Sequence, residues 1–327
     1  MLLARFFSPF CALALLCSLA GAQTPASSAP PQQPTGNKPA SNVVSPAAGN
    51  DVPSFRTRSD EVNVIFTVTD RHGKFVKNMR QNQFKVLDNN LPPRQIMTFS
   101  SETDLPLRVG LVIDASNSIR DRFLFEQQAA IEFLHQTIRP KSDKAFVLAF
   151  DEVWDVTQDF TNDLEKLTKG VNVIRPGGGT AMWDAVYYAC RDKLLKDSSG
   201  ETVRRVIILV SDGDDNQSRA LRSEAIEMAQ RAGVIVYTIS TNLSNIHDTG
   251  DHNLRMLAEA TGGRAFFPFK LQDLADGFND IQEELRSQYS LSYKPDQLEA
   301  NGQFRTIQIF TDDKKLKIRA KKGYYPK

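Results

Sequence analysis

Residues 108–118 read R-V-G-L-V-I-D-A-S-N-S. Val109 to Ile113 is an apolar run rich in β-branched side chains and too short for a free-standing helix. A strand buried on both faces of a parallel sheet reads this way. The run stops at Asp114, and Ser116 and Ser118 follow at alternate positions before a helical pattern over 121–138. An acid and two hydroxyls between strand and helix lie at the carboxyl edge of the sheet, where open α/β sheets bind ligands. The same residues can also simply cap the following helix by accepting backbone N–H bonds.

Outward from this stretch, residues 104–288 alternate strand and helix. Apolar strand candidates are 109–113, 145–150, 206–210, 234–239 and 265–267, and helical patterns fall at 121–138, 163–174, 181–196, 222–232, 252–261 and 273–287. This alternation predicts a doubly wound, mostly parallel α/β sheet. Residues 153–158 follow Phe150 after a short turn and predict an antiparallel edge strand.

On either side the pattern is β. Val62, Val64, Phe66 and Val68 alternate with other residues, and short strands follow at 84–87 and 95–99. Alternation returns at 289–293, 305–310 and 316–320. Neither flank, 56–103 or 289–327, has enough strands to stand alone. The expectation is one small all-β domain with the α/β domain inserted in it.

Residues 23–55 are rich in Pro, Ser, Ala, Gln and Asn, a composition that buries too little to fold and predicts a flexible linker. Residues 1–22 read as a secretory signal peptide: Arg5, then an apolar stretch from Phe10 to Ala20, then a small-x-small site at Ala20-Gly21-Ala22. A lipoprotein reading of Cys17 would want a small residue where Leu16 stands. The expected location is periplasmic or secreted, with no stable membrane span in the mature chain. Cys11 and Cys17 lie in this segment, so Cys190 alone would remain, within a helical pattern that makes it a core residue. With 41% hydrophobic residues and a formal net charge of +1, the chain can build a core and carries no field that favours nucleic acid.

Two further loops repeat the strand-end theme. Residues 175–180, R-P-G-G-G-T, precede a helix, with Thr180 at its expected N-cap. No phosphate-loop spacing accompanies the glycines. Val206 to Val210 ends in S-D-G-D-D-N at 211–216. By α/β logic three loops converge on one edge and offer Asp114, Ser116, Ser118, Thr180 and Asp212, all oxygen donors. Hard divalent cations such as Mg²⁺ prefer such ligands, whereas Zn²⁺ would want nitrogen or sulfur.

These residues resemble the metal-ion-dependent adhesion site of the von Willebrand factor type A (vWA) domain, whose pattern is D-x-S-x-S, then Thr, then Asp on successive loops. All five positions match in order, and the G-G-G-T-A and S-D-G-D-D stretches match around them. The resemblance covers about 104–288, and the β flanks are similar to those of exported bacterial vWA-related proteins of the acidobacterial type. It implies a cation, Mg²⁺ with Mn²⁺ or Ca²⁺ possible, held through the hydroxyls of Ser116, Ser118 and Thr180, with Asp114 and Asp212 acting directly or through water. It further implies a protein partner whose Asp or Glu completes the coordination, and no enzymatic activity. The alternative is a Mg²⁺-dependent hydrolase or phosphatase. That chemistry would want a second acid two residues after Asp114, where Ser116 stands, and a base nearby.

Asp184, in the first turn of its helix, is expected to stabilise the helix dipole, with support of the site as the other reading. Trp154 and Trp183 are expected to pack. His247, Asp248, Asp251 and His252 read as a polar loop rather than a second metal site.

Overall fold

The computed structural model describes residues 61–101, 105–120, 122–197, 203–242, 248–297 and 301–326. The expected signal peptide and linker, and His247, lie outside them. No described helix is long and apolar enough to cross a membrane.

The strands are β1 (Val62–Thr69), β2 (Lys85–Asp88), β3 (Gln95–Ser101), β4 (Leu107–Asp114), β5 (Lys144–Phe150), β6 (Trp154–Thr161), β7 (Arg204–Ser211), β8 (Val234–Ser240), β9 (Ala265–Phe266), β10 (Tyr289–Lys294), β11 (Arg305–Phe310), β12 (Lys317–Ala320) and β13 (Gly323–Tyr324). The α-helices are α1 (Phe123–Thr137), α2 (Leu164–Asn172), α3 (Met182–Tyr188), α4 (Arg222–Ala232), α5 (Thr249–Thr261) and α6 (Leu271–Leu285).

Six strands form the central sheet in the order β6-β5-β4-β7-β8-β9, parallel except for the antiparallel edge strand β6. Every residue of β4 is buried, because helices cover both faces. Val109, Leu111 and Ile113 point into a core shared with α1, α2 and α6, and Val112 into a core shared with α3, α4 and α5. Gly110 faces the second core, where a Cβ would come within 2.5 Å of the Phe146 ring. The chain leaves β4 toward β5 on one side and later returns to β7 on the other. The carboxyl ends of β4 and β7 therefore flank a topological switch point.

The remaining strands form two antiparallel sheets, β12-β1-β10-β3 and β13-β11-β2. In the first, Phe66 of β1 stands opposite both Tyr289 and Ala320. Phe66, Phe84 and Tyr289 pack with ring centroids 5.0 to 5.7 Å apart. Asp88, 1% exposed, accepts from the Tyr293 and Tyr324 hydroxyls at 2.9 and 2.8 Å and pairs with Arg305 at 2.7 Å. That one carboxylate ties β2, β10, β11 and β13 together.

A buried polar cluster joins this β part to the α/β part. Glu284 of α6 pairs with Arg319 of β12 and accepts the Tyr237 hydroxyl at 2.7 Å. Arg204 bonds Gln288 and the Leu285 carbonyl, both at 2.6 Å.

Candidate metal centre

Asp114 is the last residue of β4 and fully buried. Its Oδ1 accepts the Ser116 N–H at 2.8 Å, and its Oδ2 accepts the Ser211 hydroxyl at 2.7 Å. The chain then makes a single 3₁₀ turn, Asn117–Ile119. This turn sets the side chains of Ser116 and Ser118 together, with their Oγ atoms 2.9 Å apart. Ser118 donates to Asp212 Oδ2 at 2.7 Å. Since its only proton goes there, the Ser116 hydroxyl is the donor to Ser118. Neither serine caps α1, whose N-cap is Arg122, and Ser116 makes no side-chain cap to the 3₁₀ turn.

Four of the five expected residues thus lie on one continuous hydrogen-bonded run from the end of β4 to the loop after β7. Thr180 is tied to the same place through its backbone. Its N–H donates to Asn216 Oδ1 at 3.0 Å, and its carbonyl accepts the N–H groups of Asn216 and Gln217. The glycine loop before it is pinned by Gly177 N–H to the Ala115 carbonyl at 2.6 Å and by Asn117 N–H to the Gly178 carbonyl at 3.4 Å. Thr180 is not the helix cap expected of it: α3 starts at Met182, and Ala181 occupies the cap, donating its N–H to the Asp151 carbonyl at 2.6 Å.

Several supporting residues carry weak sequence signals. Asp184 does more than face a helix dipole, since its carboxylate accepts the N–H groups of Arg219 and Ala220 and so holds the loop after β7. Asp215 does the same from the other side, accepting from Trp183 N–H and the Ser218 hydroxyl. Gly213 has φ +81, and a Cβ there would meet the Gly250 carbonyl at 2.2 Å, so the loop needs glycine at this point. Ser211, directly before Asp212, also accepts Gly213 N–H at 3.0 Å. Trp183 is buried, whereas Trp154 packs at a tilt against Tyr188 and keeps 39% of its surface exposed.

The electrostatics favour a cation. Burial, reinforced by the Asp212 charge, pushes the Asp114 carboxyl up to about 6, against the bonds from Ser211 and Ser116. Asp214 is also raised, by burial and by Asp212 and Asp248. Behind the site sits Glu126 of α1, 2% exposed, with neither carboxyl oxygen hydrogen-bonded. Burial, together with the charges of Asp114 and Asp212, pushes it up to about 8, against Arg122, whose Nε lies 3.4 Å from Oε1. Acidic groups this crowded lower their mutual repulsion when a positive ion enters. The donors suit a hard ion: hydroxyls and carboxylates, with no nitrogen or sulfur among them. Among the described residues no group of three or more His, Cys, Asp or Glu side chains could hold a metal by itself, so any cation here depends on the hydroxyls.

The family model of the von Willebrand factor type A domain matches residues 109–284. No curated protein sequence matches the chain. Among solved structures, the chain is similar to a conserved hypothetical protein, BatB, from Bacteroides thetaiotaomicron, at 16% identity over 55% of this chain and 100% of that one, with a TM-score of 0.44. It is also similar to a von Willebrand factor type A protein from Catenulispora acidiphila, at 14% identity over 80% of this chain and 71% of that one, with a TM-score of 0.49. A third is proximal thread matrix protein 1 from the mussel byssus, described with a zinc-occupied MIDAS motif, at 15% identity and a TM-score of 0.49. The match covers 62% of this chain and spans half the length of that protein. The family model takes in more than half of the chain, and its start in β4 and its end in α6 enclose all three loops of the candidate centre; the chain belongs to the von Willebrand factor type A domain family.

Proposed function

We propose that this protein is an exported, non-enzymatic binding module. It holds a divalent cation, Mg²⁺ with Mn²⁺ or Ca²⁺ as substitutes, through Ser116, Ser118 and Thr180 directly and through Asp114 and Asp212 directly or by way of water. Two carboxylates only balance the ion's charge. An octahedral Mg²⁺ then remains electrophilic enough to take an Asp or Glu oxygen from a protein partner. The observation that carries this reading is the hydroxyl relay from the buried Ser116 through the exposed Ser118 to the half-buried Asp212. Within this reading residues 1–22 direct export, 23–55 tether, and 56–103 with 289–327 form the β domain that carries the vWA domain, 104–288. The hydrolase alternative gains nothing from the position two residues after Asp114: Ser116 is committed to Ser118, and His135 bonds Thr168, toward the far end of α1.

The test is retention of partner proteins on the tagged chain in magnesium and after chelation. Retention should require the ion, and Asp114→Ala should abolish it while the protein stays folded. Retention by Asp114→Ala equal to that of the wild type would refute the proposal, as would turnover of a phosphate ester that the same substitution removes.

A further inference from the structure

The edge of a sheet is a row of unpaired backbone N–H and C=O groups, and proteins that stay single guard it with charge, shortness or cover. The edges of this protein are guarded unevenly. β12 carries Lys317 and Arg319, with Lys321 and Lys322 directly after it. β2 carries Lys85 and Asp88. β6 carries Asp155 and Asp159 and is covered by α2, since a Cβ on Gly170 would meet the Gln158 Cβ at 2.5 Å. β9 and β13 are two residues long each. β3 differs from all of these. Its seven residues, Q-I-M-T-F-S-S, hold no charge and no proline, five of them are exposed, and among the described strands it pairs with β10 alone.

β10 fixes which way each residue of β3 faces. Ile96, Phe99 and Ser101 stand opposite Tyr293, Leu291 and Tyr289, which lie in the core of the β part. Thr98 and Ser100 stand opposite Ser292 and Ser290 on the other face. Met97 has no partner in β10 and forms a bulge, so regular pairing is open from Thr98 to Ser101. Half-buried Phe99 packs against Phe84 and Tyr289, with centroids 5.6 and 5.8 Å apart.

This edge is complementary to itself. Residues opposite each other in an antiparallel pair share a face. When two copies run antiparallel about a two-fold axis at Phe99, that ring meets its own copy on the core side. On the other face Thr98 of each copy meets Ser100 of the other. Aromatic pairs and Thr–Ser hydroxyl pairs are both favourable cross-strand partners. The charges agree as well. In sequence Arg94 precedes the strand, and Glu102 and Asp104 follow it. Antiparallel copies bring the start of one strand to the end of the other, so unlike charges approach on both sides of the axis.

We infer that β3 is a homodimer edge: two copies of this chain join through Thr98–Ser101, centred on Phe99, into one continuous eight-stranded sheet. The order is β12-β1-β10-β3 followed by the same strands reversed. A two-fold pair closes on itself, and the basic residues of β12 stop the sheet from growing at its far ends. The inference is independent of the cation site.

The test is sedimentation velocity of the full chain at concentrations up to about 0.5 mM. The wild type should pass from monomer to dimer, and the amides of 98–101 should gain hydrogen-exchange protection as it does. Thr98→Lys combined with Ser100→Lys sets like charges opposite each other twice, and should weaken dimerisation about tenfold. Thr98→Lys combined with Ser100→Glu carries as many charges but sets Lys opposite Glu, and should dimerise within about threefold of the wild type. Both variants lose the hydroxyl bond from Thr98 to Ser292, 2.6 Å in length, so comparing them isolates the contact between copies. A wild type that stays monomeric throughout would leave the edge to a strand of another protein and overturn the inference. Dimers equally strong in both variants would place association on another surface, and equal loss in both would remove the register; either result overturns it.

Discussion

Replacing Glu126 by Gln removes an ionisable group from the interior of the α/β part, and its effect follows from the environment of that side chain. In the folded chain the carboxyl titrates at about 8 instead of 4.5, because it is buried and near Asp114 and Asp212. An acid whose pKa rises on folding holds its proton in the native state while the unfolded chain releases it. Native stability therefore falls as pH rises from 4.5 toward 8. Each pH unit in that window costs about 1.4 kcal/mol, which gives about 3 kcal/mol at pH 7. Gln keeps the shape of the protonated acid and does not ionise. Arg122 has 22% of its side chain exposed and can turn to water when its partner is neutral. Glu126→Gln should thus match the wild type at pH 4 and exceed it by about 2–3 kcal/mol at pH 7 in EDTA. Urea unfolding followed by tryptophan fluorescence at several pH values measures this difference directly, because Trp183 is buried in the same α/β part. A difference between the two proteins that does not change with pH, or a variant less stable at pH 7, would refute the reasoning.

Other perturbations separate the site from the scaffold. Magnesium at a hundredfold excess over its dissociation constant should stabilise the wild type by about 2.7 kcal/mol, and Ser118→Ala should lose most of this gain in a thermal-shift titration. Asp88→Ala leaves Arg305 and two tyrosine hydroxyls without their common acceptor, and should cost about 3–5 kcal/mol in urea unfolding. Gly110→Ala drives a methyl group into the Phe146 ring and should cost about 1–3 kcal/mol without changing magnesium binding.

The strand ends were readable because burial and chemistry change at the same residue. Val109 to Ile113 is uniformly apolar, and Asp114 breaks it where the backbone leaves the sheet; Val206 to Val210 and Asp212 repeat this. The edge strand after Phe150 was readable from its short turn. Less was legible where a residue acts on a chain segment distant in sequence. Asp184 looked like a helix-dipole residue because the loop it holds, at Arg219 and Ala220, lies thirty-five residues on. Thr180 looked like a cap because a threonine before a helix usually is one, but its backbone is occupied by Asn216 and Gln217. Glu126 had a signal of a kind: it shares the helical face of Phe123, Ala130 and Phe133, all buried, while Leu124 stands outside. An acid turned in and a leucine turned out is a reversal of ordinary patterning, and such reversals gather where a protein binds something.

The β sheet that holds Phe66 has a consequence for how the chain is made. Val62 lies beside Tyr293, and Thr69 beside Lys317, so among the described strands β1 finds its sheet neighbours only in β10 and β12, far along the chain. The parallel sheet between them can assemble meanwhile, since domains tend to fold as they appear. Closure of the outer sheet must then come last and slowly, as distant pairings do. A chain cut short at residue 288 would keep the three loops at the carboxyl edge of the parallel sheet but leave β1 and β3 with bare edges, ready to pair with any other unfinished copy.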